Sequence, residues 1–176
     1  MKVLAKLFLV LVLNICVMSY FTYKDNGNMS LAETSTNNGI DLGQKAPTFK
    51  LSTVDGKEFD LESFRKDKFV LMIFGTTWCP YCVHEVPVLN EYYDEFKNDG
   101  LEVLNIDIQE SKKKVRSFVE KKSVNYPVVL DSKADVARLY KVIGIPLSIV
   151  LDKNGIIKYR NNLSPSKEVL EKLLVN

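Results

Sequence analysis

The stretch that decides the fold is Trp78-Cys79-Pro80-Tyr81-Cys82. It directly follows an apolar run, Phe69–Phe74, and directly precedes a long amphipathic segment, Val83–Phe96. This pattern predicts a buried strand followed at once by a helix that begins at the two cysteines. Positions i and i+3 share one face of a helix, so the two sulfur atoms can approach bonding distance. The stretch therefore indicates a cysteine pair that can form a disulfide at the beginning of a helix.

The position of the pair predicts a different role for each cysteine. Cys79 lies at the helix N-terminus, where free N–H groups and the helix dipole favour the thiolate, which is the nucleophile. We expect Cys79 to be exposed and to attack first. Cys82 lies one turn further in, so we expect it to be more buried and to resolve the mixed disulfide. Pro80 suits the first helical turn because the N–H that it lacks would have no partner there.

Glu85 is the first candidate outside the pair. It follows Cys82 by three residues, so its carboxylate lies on the same helix face as both sulfur atoms. A carboxylate there can take the proton of Cys82 when that thiol attacks, and can return it later. A solvated glutamate with no role in the chemistry is the alternative that the spacing leaves open.

Pro80 and four further residues are candidates for contact with a substrate. Pro146 precedes an apolar strand, and a cis peptide at this position would leave the backbone of Ile145 free to pair with a substrate peptide. A proline at the first residue of a strand is also tolerated for structural reasons alone. Trp78 offers a flat contact surface, although it is equally compatible with the edge of a core. Tyr81 lies between the cysteines and is also assigned to contact with the substrate.

The N-terminus precedes the globular pattern in two parts. Residues 1–23 are apolar after two lysines, which is typical of a signal peptide or a short membrane anchor. Cationic residues stay on the cytoplasmic side, so everything after this segment is expected outside the cytoplasm. Residues 24–46 are rich in Asn, Ser, Thr and Gly, which predicts a polar linker. Residues 47–176 are expected to form the domain.

The domain shows strands that alternate with helices, which predicts an α/β fold whose sheet has a parallel section and helices on both faces. A hairpin is expected first, around Asp55-Gly56. A second hairpin is expected around Asp152–Gly155, with strands at Leu147–Leu151 and Ile156–Arg160. Ser164 is predicted to cap the last helix, with Pro165 at its first position. The remaining predicted elements are strands at Phe69–Phe74, Leu101–Ile108 and Pro127–Leu130, and helices at Cys79–Asn98, Ser111–Lys122 and Lys133–Tyr140.

Composition argues against several classes of protein. The 24 basic residues nearly balance the 22 acidic residues, which argues against a large basic surface for nucleic acid. A structural zinc site needs about four ligands, usually from a second Cys or His pair. The remaining candidates, Cys16 and His84, do not form such a pair, so no metal is expected.

The residues quoted above resemble those of the thioredoxin superfamily, and more closely its extracytoplasmic TlpA/ResA-like thiol–disulfide oxidoreductases. The resemblance runs from about Leu42 to the C-terminus. The Pro-Tyr dipeptide between the cysteines departs from the Glu-Pro or Ala-Pro that is common in this subgroup, which leaves the direction of the reaction open. Three segments carry the resemblance: Phe74–Pro87, Val124–Asp131 and Gly144–Pro146.

The resemblance implies a thioredoxin-like fold with a central mixed sheet and an N-terminal β-hairpin. It assigns Cys79 as the nucleophilic cysteine, Cys82 as the resolving cysteine, Glu85 as the buried glutamate of these reductases and Pro146 as the cis-proline. No cofactor beyond the redox-active disulfide is implied. The implied partners are secreted proteins with disulfides, apocytochrome c foremost, and a membrane-embedded thiol–disulfide electron donor. We expect a monomer held at the outer side of the cytoplasmic membrane.

Net reduction is the favoured direction of electron flow. A disulfide-forming oxidase is the alternative among enzymes, and the two differ in the reduction potential of the cysteine pair. A binding or chaperone module that uses the same groove without turnover is the alternative from another class.

Overall fold

The computed structural model describes residues 38–175, and within this range the chain forms seven strands and five α-helices. The strands are β1 (Lys50–Thr53), β2 (Glu58–Asp60), β3 (Phe69–Gly75), β4 (Leu101–Ile108), β5 (Val128–Asp131), β6 (Leu147–Leu151) and β7 (Ile157–Asn161). The helices are α1 (Leu61–Phe64), α2 (Pro80–Phe96), α3 (Lys112–Lys122), α4 (Asp135–Leu139) and α5 (Lys167–Val175).

The strands form one mixed sheet in the order β2-β1-β5-β4-β3-β6-β7. The three central strands β5, β4 and β3 are parallel, and the antiparallel hairpins β1–β2 and β6–β7 extend the sheet on either side. The predicted α/β fold with an N-terminal hairpin is confirmed. The carboxyl ends of the parallel strands meet at one edge of the sheet, and the cysteine pair follows β3 at this edge.

Strand β3 is buried along its whole length because both faces of the sheet are covered. Its side chains alternate between two cores, as the two-residue period of a strand requires. Val70, Met72 and Phe74 pack in a core that includes Tyr140. The intervening side chains pack against α2 and α5 in the second core, which includes Phe69, Leu71, Ile73, Leu89, Tyr92, Phe96 and Leu170.

Helix α2 begins at Pro80 and continues through Pro87 to Phe96. Proline at the first helical position costs no hydrogen bond within the helix, because an N–H at this position would have no helical partner. A short 3₁₀ turn, Lys97–Asp99, follows α2 and leads into Gly100. Gly100 has a φ of 88°, a left-handed conformation that glycine adopts without a steric penalty. The chain thereby reverses into β4.

The beginning of the domain differs from the predicted boundary. Residues 38–46, assigned to the polar linker, form backbone hydrogen bonds with the β6–β7 hairpin. Gly43 donates its N–H to Ile157 over 2.8 Å, and Ala46 donates to Gly155 over 2.9 Å. Backbone pairing at the edge of a sheet does not require apolar side chains, which explains why the composition of this stretch did not predict it. The rest of the predicted linker and residues 1–23 lie outside the described residues.

The last helix also begins later than predicted. Its cap is Ser166, whose Oγ accepts the N–H of Val169 at 3.4 Å, and not Ser164. Pro165 therefore precedes the helix. The four-residue α1 was not predicted, since it is shorter than the window over which helical periodicity can be recognised. Across residues 38–175, the helices are too short or too polar to span a bilayer.

Candidate active site

The two cysteines form a disulfide at the beginning of α2. Cys79 precedes the first helical residue, and its Cα lies 5.3 Å from that of Cys82. The Sγ of Cys79 accepts the backbone N–H of Cys82 at 3.3 Å, so the sulfur caps the helix. This N–H would also stabilise a thiolate on Cys79 after reduction. The geometry therefore suits Cys79 as the attacking sulfur.

The predicted difference in exposure between the cysteines is wrong for this disulfide-bonded form. Cys79 is 4% exposed and Cys82 is 9% exposed, so both are buried. The reason lies in a loop that sequence spacing does not place: the carbonyl oxygen of Ile145 lies 3.9 Å from the Sγ of Cys79. The loop before β6 thus covers the sulfur that was expected to face solvent.

This covering loop contains the Ile145–Pro146 peptide bond, which is cis. Ile145 is half-buried and Pro146 is buried. The side-chain amide of Asn162 donates to the carbonyl oxygen of Pro146 at 3.2 Å, which ties the loop to the segment before α5. The sequence analysis did not identify Asn162, because its partner lies on a different strand of the hairpin.

Large apolar side chains surround the disulfide on its solvent side. Trp78 is 65% exposed, Tyr81 is 70% exposed and Ile143 is fully exposed. A surface groove of about 530 Å³ runs between Trp78 and the loop that ends at Ile145. Pro80 is exposed beside them. Trp78 is therefore not part of a core edge, and Ile143 is an addition that the sequence analysis missed.

Glu85 is held in place by the segment before α5. Its Oε1 accepts the backbone N–H of Ser164 at 2.8 Å, while its Oε2 is buried without a hydrogen-bond partner among the described residues. Two tyrosines lie near it, the buried Tyr126 and the partly buried Tyr159. Burial raises the pKa of Tyr126 and of Tyr159, and the negative charge of Glu85 adds to both shifts. The carboxylate thus lies in a largely apolar, tyrosine-lined environment.

A second carboxyl group near Cys82 was not predicted at all. Asp107, on β4, is 2% exposed and lines a small cavity together with Cys82. Burial raises the pKa of Asp107 to about 8, and the neighbouring charge of Glu110 and a hydrogen bond with it act in the same direction. The acidic side chain of Asp107 near the end of the largely apolar segment Leu101–Ile108 was the available sequence signal for this site.

Glu110 connects Asp107 to the protein surface. It accepts the Oγ1–H of Thr77 at 2.8 Å and pairs with Lys114, whose side chain is 54% exposed. Burial opposes ionisation of Glu110, but hydrogen bonds from Lys114 and Thr77 outweigh it and lower the pKa of this carboxyl. The two neighbouring carboxyl groups are therefore shifted in opposite directions, the pKa of Asp107 upward and that of Glu110 downward.

A metal site is not apparent in the described part of the chain, where no group of three or more His, Cys, Asp or Glu side chains converges. The reactive groups that the structure offers are the two sulfur atoms and the carboxyl groups around Cys82. Thioredoxin-like oxidoreductases use no cofactor beyond their redox-active cysteines.

Comparison with known proteins supports the same chemistry. The sequence profile of the AhpC/TSA family matches residues 42–160. The chain is 33% identical to the thiol-disulfide oxidoreductase ResA of Bacillus thuringiensis subsp. konkukian over 135 residues, covering 77% of this chain and 78% of the relative. It is 32% identical to ResA of Bacillus subtilis over 158 residues, covering 88% of this chain and 84% of the relative.

Among solved structures, the thioredoxin domain of a thiol-disulfide oxidoreductase from Bacteroides vulgatus superimposes with a TM-score of 0.71 at 25% identity. The match covers 77% of this chain and 99% of that domain. Fold, disulfide and sequence similarity therefore agree. The chain belongs to the AhpC/TSA family of the thioredoxin superfamily, and within it to the ResA-type thiol–disulfide oxidoreductases.

Proposed function

We propose that this oxidoreductase works as a reductase of disulfides in extracytoplasmic proteins, with apocytochrome c as the leading substrate. The observation that carries the proposal is the disulfide between Cys79 and Cys82 at the beginning of α2, next to Trp78, which lines an open surface groove. In the reduced protein, Cys79 attacks a substrate disulfide and Cys82 then releases the reduced substrate. A membrane-embedded thiol–disulfide donor restores the dithiol.

The groove suits an extended peptide as the substrate. Trp78 and Tyr81 present large exposed surfaces on one side of the disulfide, and Ile145 presents its backbone on the other side. An extended peptide can pair with exposed backbone while its side chains contact the aromatic rings. Pro80 and Pro146 complete the set of residues that we assign to substrate contact.

Glu85 supports the reducing direction. Resolution of the mixed disulfide by a reductase requires the Cys82 thiol to lose its proton, and a carboxylate one turn later on the same helix face can accept it. One Glu85 oxygen is fixed by the N–H of Ser164 and the other remains unpaired among the described residues. A glutamate at this position resembles that of the reductase subgroup.

The location of the protein is proposed from residues 1–23. Two lysines followed by an apolar run favour a membrane anchor whose following residues lie outside the cytoplasm. In this arrangement the described domain reaches its substrates from the outer side of the membrane, as a monomer.

The reduction potential of the Cys79–Cys82 pair tests the direction. Equilibration of the purified protein with redox buffers should give a value close to that of thioredoxin, about −270 mV, rather than that of a strong oxidant such as DsbA, about −120 mV. A value in the oxidising range would favour the alternative, a disulfide-forming oxidase.

A covalent trap identifies the substrates. Cys82→Ala leaves Cys79 able to attack but removes the sulfur that resolves the mixed disulfide, so substrates should stay attached. Isolation of the adducts from the host, followed by mass spectrometry, should recover apocytochromes. Recovery of other secreted proteins alone would contradict the proposed pathway, and a matched Cys79→Ser/Cys82→Ala variant should capture nothing.

A further inference from the structure

A small cavity is lined by Cys82 and, apart from Thr76, shares no lining residue with the substrate groove. Its volume of about 20 Å³ is sufficient for one water molecule. Most of its lining is apolar, but polar side chains come from Thr76, Thr77, Asn105 and Asp107. The cavity is therefore a polar site enclosed in the core and in contact with the resolving cysteine.

The register of the sheet places Asp107 on the side of Cys82. Gly75 of β3 pairs with Asp107 of β4 in the parallel ladder, and paired positions direct their side chains to the same face. A Cβ atom at Gly75 would lie 3.1 Å from the Sγ of Cys82 and 3.9 Å from the Oδ1 of Asn105. The absence of a side chain at Gly75 keeps the space between the sulfur and the β4 side chains open.

Two polar atoms on this cavity are buried without a hydrogen-bond partner among the described residues: the Oγ1 of Thr76 and the Oδ1 of Asp107. A buried polar atom that is left unpaired destabilises the folded protein. A water molecule that binds both atoms would satisfy them, and it would lie next to the sulfur of Cys82.

We propose that Asp107 exchanges a proton with the Cys82 thiol through a water molecule held by Thr76. Asp107 would thus form a second proton route to the resolving cysteine, separate from Glu85. The route continues outward, because Asp107 is hydrogen-bonded to Glu110, which pairs with the half-exposed Lys114.

The charged and titratable groups that face Asp107 come from the loop after β4, from α3, from α2 and from the segment before β5. Burial is the main cause that raises the pKa of Asp107 to about 8. Glu110 raises this pKa further, and Lys114 lowers it. Cys82 of α2 and Tyr126, which precedes β5, line the same cavity. Because Asp107 and Cys82 border one cavity, a single water molecule there can relay a proton between them.

The proposed proton transfer begins from a mixed disulfide between Cys79 and a substrate. The Cys82 thiol transfers its proton through the water to the ionised form of Asp107. The Cys82 thiolate then attacks the Sγ of Cys79, the Cys79–Cys82 bond forms, and the bond to the substrate sulfur breaks. The substrate leaves as a thiolate with the electron pair and takes a proton from solvent. The cysteine pair is oxidised by two electrons and the substrate is reduced by two.

The inference rests on disulfide exchange at Cys79 and Cys82 and not on the proposed direction. In the opposite direction, neutral Asp107 returns its proton to the Cys82 thiolate as that sulfur leaves. The test below uses a small disulfide, so its outcome is independent of both the reduction potential and the identity of the natural substrate.

The experiment compares three forms of the purified full chain: wild type, Asp107→Asn and Asp131→Asn. Asp131 is a matched control, since it is also buried at the end of a sheet strand but accepts the N–H of Ala137 and does not line the cavity. Each reduced protein is mixed with oxidised glutathione, and acid quenching with mass spectrometry follows the decay of the Cys79–glutathione adduct between pH 6 and pH 9.

In wild type, the decay rate should rise with pH with a midpoint near 8. At pH 8 the adduct on Asp107→Asn should decay more slowly by at least about tenfold, and its rate should lack this midpoint. General acid–base catalysis contributes about a hundredfold or more, so a tenfold loss is the minimum expected. Asp131→Asn should follow wild type. Equal rates for wild type and Asp107→Asn within about twofold, or equal slowing in Asp131→Asn, would overturn the proposal.

A second measurement needs no variant and stands even if Asp107→Asn fails to fold. Carbon-13 NMR of the aspartate carboxyl groups should show Asp107 titrating near pH 8 in the disulfide form and at a different pH after reduction, because Cys82 then carries its own proton. Titration of Asp107 below pH 5, or an identical midpoint in both redox states, would refute the proton exchange.

Discussion

Glu85 and Asp107 are two carboxyl groups near the same sulfur, and their surroundings differ. Glu85 is half-buried on α2, and the backbone N–H of Ser164 binds one of its oxygens. Asp107 is 2% exposed on β4 and has a carboxyl group, Glu110, as its hydrogen-bond partner. Burial beside a second acid raises the pKa of Asp107, whereas Glu85 is held in place by a backbone N–H.

The difference indicates two distinct contributions to one reaction. Glu85 lies on the helix that carries the cysteines, so any movement of α2 moves both together. Asp107 lies on the central sheet, where seven residue pairs join β3 to β4. We infer that the helix side and the sheet side of Cys82 exchange protons with it independently.

Loss of the shared sulfur should have the largest effect. Cys82→Ala should reduce turnover of a protein disulfide to the uncatalysed background, because the mixed disulfide at Cys79 cannot resolve. In this background, Glu85→Gln and Asp107→Asn should leave the first attack by Cys79 unchanged within about threefold, since both carboxyls are proposed to act on Cys82. Stopped-flow measurement of the first attack checks this. A large effect of either substitution there would mean that the carboxyls act on Cys79 instead.

The pH dependence of stability should separate the two carboxyl groups next. The pKa of Asp107 is raised on folding to about 8, so its contribution to stability is complete below about pH 4 and is lost as the pH rises through 8. Between these limits wild type should lose about 2–5 kcal/mol of unfolding free energy relative to Asp107→Asn.

Urea unfolding of both proteins between pH 4 and pH 9 measures this difference directly. Asp131→Asn is the control, and its difference from wild type should not follow the same pH window. A constant difference between wild type and Asp107→Asn across this range would show that Asp107 is already ionised in the folded protein.

The smallest effect concerns the independence of the two carboxyls. Glu85→Gln retains an oxygen that can accept the N–H of Ser164, so the fold should survive while resolution slows by about tenfold. If the two routes are separate, the double variant with Asp107→Asn should slow resolution by the product of the two single effects, with a coupling energy below about 0.5 kcal/mol. Quenched-flow kinetics of the four proteins test this. A double variant no slower than the worse single variant would indicate one shared route.

The sequence predicted the central elements well. Strand β4 was expected at Leu101–Ile108 and β6 at Leu147–Leu151, and the structure has the same bounds. Both are rich in apolar residues and begin directly after a residue unsuited to a strand, Gly100 or Pro146, so local chemistry marks their starts. Ser111 was likewise predicted at the start of α3, and its Oγ accepts the N–H of Lys114 at 3.4 Å.

The predictions that failed depend on distant partners. Ser164 has the residue type of a helix cap, but its N–H binds Glu85, 79 positions earlier in the chain, and the helix begins later. Cys79 was expected to be exposed, yet the Ile145 loop, 66 positions later, covers it. No pattern within a window of ten or twenty residues contains either partner.

The sequence by itself determined the order of strands and helices, the cysteine pair at the start of α2 and the placement of Glu85 on the same helix face. These depend on periodicity and spacing, which are local properties of the chain. Only the tertiary structure decided which carboxyl groups surround Cys82. Asp107 reaches the cavity because β4 pairs with β3 in a register that sets it beside Gly75, and its burial there, next to Glu110, keeps its proton in place. Pairing between strands and burial are properties of the assembled sheet, so no single segment could have predicted them.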